Sequence, residues 1–129
     1  MRYVILGNPI PLQRVRFGGG RCWDEQKKVK VGLQVILDGL HGANPMYSGP
    51  LRLEIIFYFK FPQAVSEKKR EEMREKGHSN KPDLSNLIKF YEDIATGILY
   101  EDDRLISDII ARKRWDDVPR TEFVITEIR

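Results

Sequence analysis

The chain of 129 residues is 41% hydrophobic and carries a formal net charge of +3. That is apolar material for one core and one domain spanning residues 1–129, and composition calls for no second domain. A lone cysteine, Cys22, excludes an internal disulfide and a thiolate metal site and fits a reducing cytoplasm.

In chain order, Arg2 to Leu6 reads as a first strand. Its apolar run is too short for a signal peptide, and no stretch approaches a membrane span. A turn-rich Gly7-Asn8-Pro9-Ile10-Pro11 follows. Arg14 and Arg16 share one face if extended, as phosphate contacts or as charges that guard an edge strand. Gly18-Gly19-Gly20 forms a hinge or loop tip. Without a following Lys-Ser/Thr it is no phosphate loop. From Trp23 or Asp24 to about Leu40 the pattern is helical, with Val29, Leu33, Ile36, Leu37 and Leu40 expected to face the sheet and Lys27, Lys28 and Lys30 near its start. Leu51, Leu53, Ile55, Phe57 and Phe59 alternate with more polar positions, which predicts a central strand ended by Pro62.

Ser66 to Lys76 reads as a charged helix stopped by Gly77, most of its charge solvated. His78 follows in a loop, where a histidine is more often incidental than functional. Asp83 is a good N-cap after Pro82, and Leu84, Leu87, Ile88, Tyr91, Ile94 and Ala95 recur at helical spacing up to Gly97. At about 100° per residue, Asn86, Lys89 and Asp93 lie within roughly 60° of one another beside that stripe. Ile98 to Tyr100 is expected to be a short strand running back along the helix and delivering Glu101, Asp102 and Asp103 near Asp83. Carboxylates converging in this way call for a cation, and oxygen ligands suit Mg²⁺ or Mn²⁺. Taken singly, Asp83 serves equally as a cap, Asp102-Asp103 as a turn and Lys89 as a solvated side chain. Leu105 to Trp115 reads as a strand with Ile106, Ile109 and Ile110 buried, Asp116 to Pro119 as a turn, and Thr121 to Ile128 as a last strand. The order of elements commits the chain to the α/β class, a mixed sheet with helices packed on it.

Charge is uneven along the chain. Residues 1–30 hold seven Lys/Arg against two Asp/Glu, whereas residues 81–110 hold seven Asp/Glu against three Lys/Arg. A basic arm beside an acidic pocket suits an enzyme that grips phosphates and binds a metal.

The run Lys81-Pro82-Asp83-Leu84-x-Asn86-Leu87-x-Lys89, then Asp93, Gly97 and Tyr100-x-Asp102-Asp103, resembles the RusA-type Holliday-junction resolvases common in phages and prophages. The match is dense over about 25 residues and extends loosely through Gly7 to Pro11 and the order of elements to most of the chain. The resemblance implies a single-domain sandwich, a homodimer, and Mg²⁺-dependent hydrolysis of four-way DNA junctions that leaves 5′-phosphates. Mn²⁺ is expected to substitute. It also implies that Asp83 and Asp103 are metal-binding catalytic carboxylates and that Lys89 is catalytic or contacts phosphate. Asn86 would support the ligands from behind. The family's second helix-start Asp is Ser85 here, a weaker neutral ligand for which Asp93 or Asp102 is expected to compensate. Sequence-independent backbone contacts are expected from Arg14, Arg16, Lys27, Lys28, Lys81, Arg112, Lys113 and Arg114. Two other readings share the fold: a DNA-binding module with a weakened site, and a nuclease for flaps or single strands.

Overall fold

In the computed structural model, which describes residues 1–13, 16–18, 21–23 and 26–129, the chain is built on a four-stranded mixed sheet. The strands are β1 (Arg2–Leu6), β4 (Leu51–Lys60), β5 (Ile106–Asp116) and β6 (Arg120–Glu127), in spatial order β1-β6-β4-β5. A small hairpin of β2 (Arg16–Gly18) and β3 (Arg21–Trp23), paired with Phe17 opposite Cys22, stands apart from that sheet. Three helices complete the fold: α1 (Lys27–His41), α2 (Glu67–Lys76) and α3 (Leu84–Ala95).

β4 lies at the centre because its odd positions are almost wholly apolar. Leu51, Leu53, Ile55 and Phe57 are buried and meet Phe123 and Ile125 of β6, Tyr3 and Ile5 of β1, and Leu87, Phe90, Tyr91 and Ile94 of α3 in one core. Each such side chain contributes about 1.5–3 kcal/mol on burial. β4 runs antiparallel to β6 and parallel to β5. A parallel pair needs a long crossover, and here the crossover carries α2 and α3.

Several expectations are corrected. α1 begins at Lys27, and Trp23 belongs to β3; Asp24 and the hinge residues Gly19 and Gly20 lie outside the described residues, as does Arg14. On α1 only Leu37 and His41 are buried, while Val29, Ile36 and Leu40 are 43%, 51% and 45% exposed. The helix is therefore turned by roughly a fifth of a revolution from the orientation its apolar residues predict. Polar contacts favour that rotation. His41 Nδ1 accepts from the Tyr3 hydroxyl at 2.8 Å while His41 Nε2 donates to Pro45 O at 3.1 Å, and Lys30 lies 3.8 Å from Asp93 on α3. Ile109 and Ile110 are 45% and 44% exposed, because β5 is an edge strand.

The expected strand at Ile98–Tyr100 is instead a turn. Leu99 N and Ile98 N donate to Ala95 O, Gly97 N donates to Tyr100 O, and the Tyr100 hydroxyl donates to Glu92 O, so the segment wraps the end of α3. Gly97 permits this with φ +86°. Tyr100 then makes isolated bridges to Tyr47 and Thr96 in place of a strand ladder.

Candidate active site

The start of α3 is fixed from two sides. Leu12 N donates to Asn86 O at 2.9 Å, and Ile10 N donates to the Tyr91 hydroxyl at 3.2 Å. Gly7 N donates to Pro119 O, so the Gly7-to-Pro11 turn is tied between the end of the sheet and α3. Pro11 and Leu12 face Lys81, Pro82, Asp83 and Asn86 across a cavity of about 260 Å³. The proline-rich turn is thus a wall of the Asp83 site.

Asp83 occupies the N-cap with an extended backbone, and its carbonyl accepts from Leu87 N at 3.2 Å. Its side chain makes no capping hydrogen bond. The carboxylate is exposed and, among the described residues, has no ion-pair partner and does not cap the amides of the first turn. Ser85 and Lys89 are also exposed.

At the other end of the helix the carboxylates gather. Asp103 opens a short 3₁₀ turn, Asp103–Leu105, in which the Asp102 side chain accepts from Arg104 N at 2.9 Å. Desolvation, a hydrogen bond with Asp102 and the charges of Asp102 and Asp93 raise the Asp103 carboxyl above its usual range. Glu92 is raised too, by burial and then by Asp103 and Asp93, with Lys89 opposing. The structure therefore joins Lys89, Glu92, Asp93, Asp102 and Asp103 electrostatically. Glu92 was not anticipated, although its place three residues after Lys89 marks it as a neighbour.

Asp83 is absent from the groups that act on Asp103. It precedes Asp93 by ten residues, about 15 Å along the helix axis. Among the described residues no three His, Cys, Asp or Glu side chains stand so as to hold a metal ion. Mg²⁺ does not require such a cage, since it commonly binds one or two carboxylates and completes its shell with water and substrate phosphate. The exposed Asp83 and the raised Asp103 cluster are donors of that kind.

The basic residues divide into two groups. Arg70 and Arg74 both reach Asp117, at 3.4 and 3.0 Å, and their guanidinium carbons lie 5.4 and 5.0 Å from the centre of the Phe61 ring. Phe61 stacks on Trp115 at 6.4 Å, and Trp115 stacks on His78 at 4.0 Å. α2 is thereby docked on β5 rather than merely solvated, and His78 is a buried part of the dock, its pKa lowered by desolvation and by Lys113. Lys113 itself donates to Asn80 O and Pro82 O at 2.6 and 2.8 Å, holding the loop before α3. Beside that loop Lys76, Arg112, Lys113 and Arg114 line a cavity of about 290 Å³ that no carboxylate enters. Lys76, Lys81, Lys89, Arg112 and Arg114 form no ion pair among the described residues. Lys76 is an addition to the expected set, the last lysine of a run whose charge reads as mostly solvated. Arg16 lies in β2, and Lys27 and Lys28 open α1. No described helix is long and apolar enough to cross a membrane.

Comparison with known proteins adds two findings. A family model described as endodeoxyribonuclease RusA matches residues 7–126. The chain is also 28% identical over 137 residues to the uncharacterized protein YqaN of Bacillus subtilis (strain 168), covering 99% of this chain and 96% of that protein.

Proposed function

Because this chain belongs to the RusA endodeoxyribonuclease family, we propose that it hydrolyses a phosphodiester in branched DNA, resolving four-way junctions by paired cuts that leave 5′-phosphates. The observation that carries the reading is the Asp83 carboxylate, which sits at a helix start without capping it and lines the same cavity as Lys81, a cation with no ion pair among the described residues.

Asp83 and Asp103 would hold the divalent ion, with Asp93, Asp102 or Ser85 as further oxygen donors and Asn86 supporting the start of α3. An ion held there would supply polarisation of the phosphate and a lowered pKa for the attacking water. Lys89, which makes no salt bridge among the described residues and lies in the field of Glu92, would offset negative charge that develops on the phosphate oxygens. The uncapped amides of the first turn of α3 favour an anion at the same place. Lys76, Lys81, Arg112 and Arg114 grip the flanking backbone, and Lys113 keeps the loop between them in position. A four-way junction is nearly two-fold symmetric, so paired cuts need two copies of the chain. With Asp83 and the Asp103 cluster toward opposite ends of α3, a dimer would also allow carboxylates from two chains to share one ion.

The test is incubation with a synthetic four-way junction and a matched duplex, with and without Mg²⁺. Cleavage of the junction alone, in the presence of the ion, is expected; cleavage of neither in Mg²⁺ or Mn²⁺ sinks the nuclease reading. Ser85 favours one second reading, a junction-binding module whose site lost a carboxylate. Ser85→Asp separates the two. A nuclease gains affinity for Mg²⁺, seen as a lower concentration for half-maximal cleavage, whereas a decayed module first acquires cleavage with the substitution.

A further inference from the structure

α1 turns its apolar side away from the protein. Val31, Val35 and Ile36 are 51%, 68% and 51% exposed, and Val29 and Leu40 extend the patch to both ends of the helix. At about 100° per residue these five, with Gly32 and Gly39, occupy one continuous half of the helix surface, and the only charge among them is Lys28 in the first turn. A Cβ placed on Gly32 or on Gly39 would meet nothing within 4 Å. The stripe is about 18 Å long, too large an apolar surface to leave to water without a use.

We propose that this stripe is an interface between two copies of the chain, the two α1 helices packing antiparallel about a two-fold axis between Val35 and Ile36. The inference rests on the two-chain requirement of the nuclease reading and adds the surface that meets it. Two features select a second copy over other occupants. The first is self-complementarity. A two-fold axis at that point sets Gly32 of one copy opposite Gly39 of the other, Val35 opposite Ile36 and Val31 opposite Leu40, so two glycine contacts allow close approach on either side of a branched aliphatic centre.

The second feature is charge. The first turn of α1 holds Lys27 and Lys28 and no acidic residue, and its N-cap, Gln26, makes no side-chain capping bond. Cations at the positive end of a helix dipole are unfavourable there. Antiparallel pairing moves Lys28, the one charge on the stripe, over the carbonyl end of the other helix, where the dipole attracts it. Lys28 therefore belongs to the subunit contact.

Disulfide mapping in a Cys22→Ser background tests the arrangement. Val35→Cys and Ile36→Cys, next to the axis, are expected to cross-link as homodimers under mild oxidation. Gly32→Cys and Gly39→Cys should each cross-link poorly alone and readily when mixed. Val35→Asp and Ile36→Asp, both at exposed positions, should sediment as folded monomers with an unchanged circular dichroism spectrum, and Lys28→Glu should weaken the dimer at least tenfold. A parent chain that stays monomeric at tens of micromolar overturns the proposal. So does a dimer that survives both Asp substitutions, or self-cross-linking at Gly32→Cys and Gly39→Cys as strong as their mixture. Junction cleavage is scored separately. A dimer cross-linked through α1 that cuts no junction upholds the interface and removes the nuclease reading, whereas cutting without cross-links at Val35→Cys and Ile36→Cys removes the interface alone.

Discussion

Asp103 and Asp116 are carboxylates pushed in opposite directions, and their substitutions should behave oppositely with pH. Desolvation and its acidic neighbours raise the Asp103 pKa, so the folded state holds that proton more tightly than the unfolded chain does. The ionised form is therefore a burden on the fold, absent below the unfolded value near 3.9 and growing as pH rises through the folded one. Asp103→Asn is expected to raise the melting temperature of the metal-free protein at pH 7, to leave it unchanged near pH 3.5, and to abolish cleavage. For Asp116 the hydrogen bond from Arg120 lowers the pKa, and its stabilisation is present above the unfolded value and lost as pH falls through the folded one. Asp116→Asn should lower the melting temperature at pH 7 and matter little in acid. Thermal unfolding of both variants at the two pH values checks the pair, and equal shifts for the two would contradict the assignment. A gain in stability where cleavage is lost would mark Asp103 as a residue kept for chemistry.

The loop between α2 and α3 depends on Gly77. Its φ of +80° disfavours any side chain, and an added Cβ would lie 3.0 Å from Arg114 Nη1. Gly77→Ala should cost about 1–3 kcal/mol in urea unfolding. It should also weaken junction binding, because the displaced guanidinium lines the basic cleft. At this scale the sequence was legible where local chemistry and burial agree. The alternation in β4 and the charged run from Ser66 to its Gly77 stop both name their elements correctly, and the structure adds that the Ser66 hydroxyl caps α2, accepting from Lys69 N at 3.2 Å. α3 was legible as well, though Phe90, fully buried, lay outside the expected stripe. Misreadings occur where a distant partner decides. Ile98 to Tyr100 has strand composition, but hydrogen bonds to Ala95 and Glu92 fold it against α3. α1 has a regular apolar period whose middle faces outward, since a period does not say which surface covers it. The motif names Asp83 and Asp103, but the strand expected to bring them together is that same turn, which keeps Asp103 near Glu92 and Asp93 at the far end of α3.

Among the described residues, cations without an ion pair gather beside the loop that leads to Asp83, whereas on the sheet Arg2 is paired with Glu122, Arg52 with Asp108 and Arg120 with Asp116. Junction affinity should therefore fall linearly with salt on logarithmic axes. Replacing Lys81 and Arg112 together by Ala should flatten the slope by about two, whereas Arg52→Ala should leave it unchanged. Titrations at four salt concentrations decide this, and equal slopes would return both cations to the solvated surface. Strand order has a different consequence, for synthesis. β1 has no partner in the main sheet except β6, at the far end of the sequence. On a ribosome the first strand, with Tyr3 and Ile5 exposed, waits roughly 5–25 s for the last to emerge. Stalled nascent chains lacking residues 119–129 should be digested readily by protease and the released chain should resist, so early resistance would count against this order. Until its final strand is free, the newborn protein is a client for whatever holds unfinished chains apart.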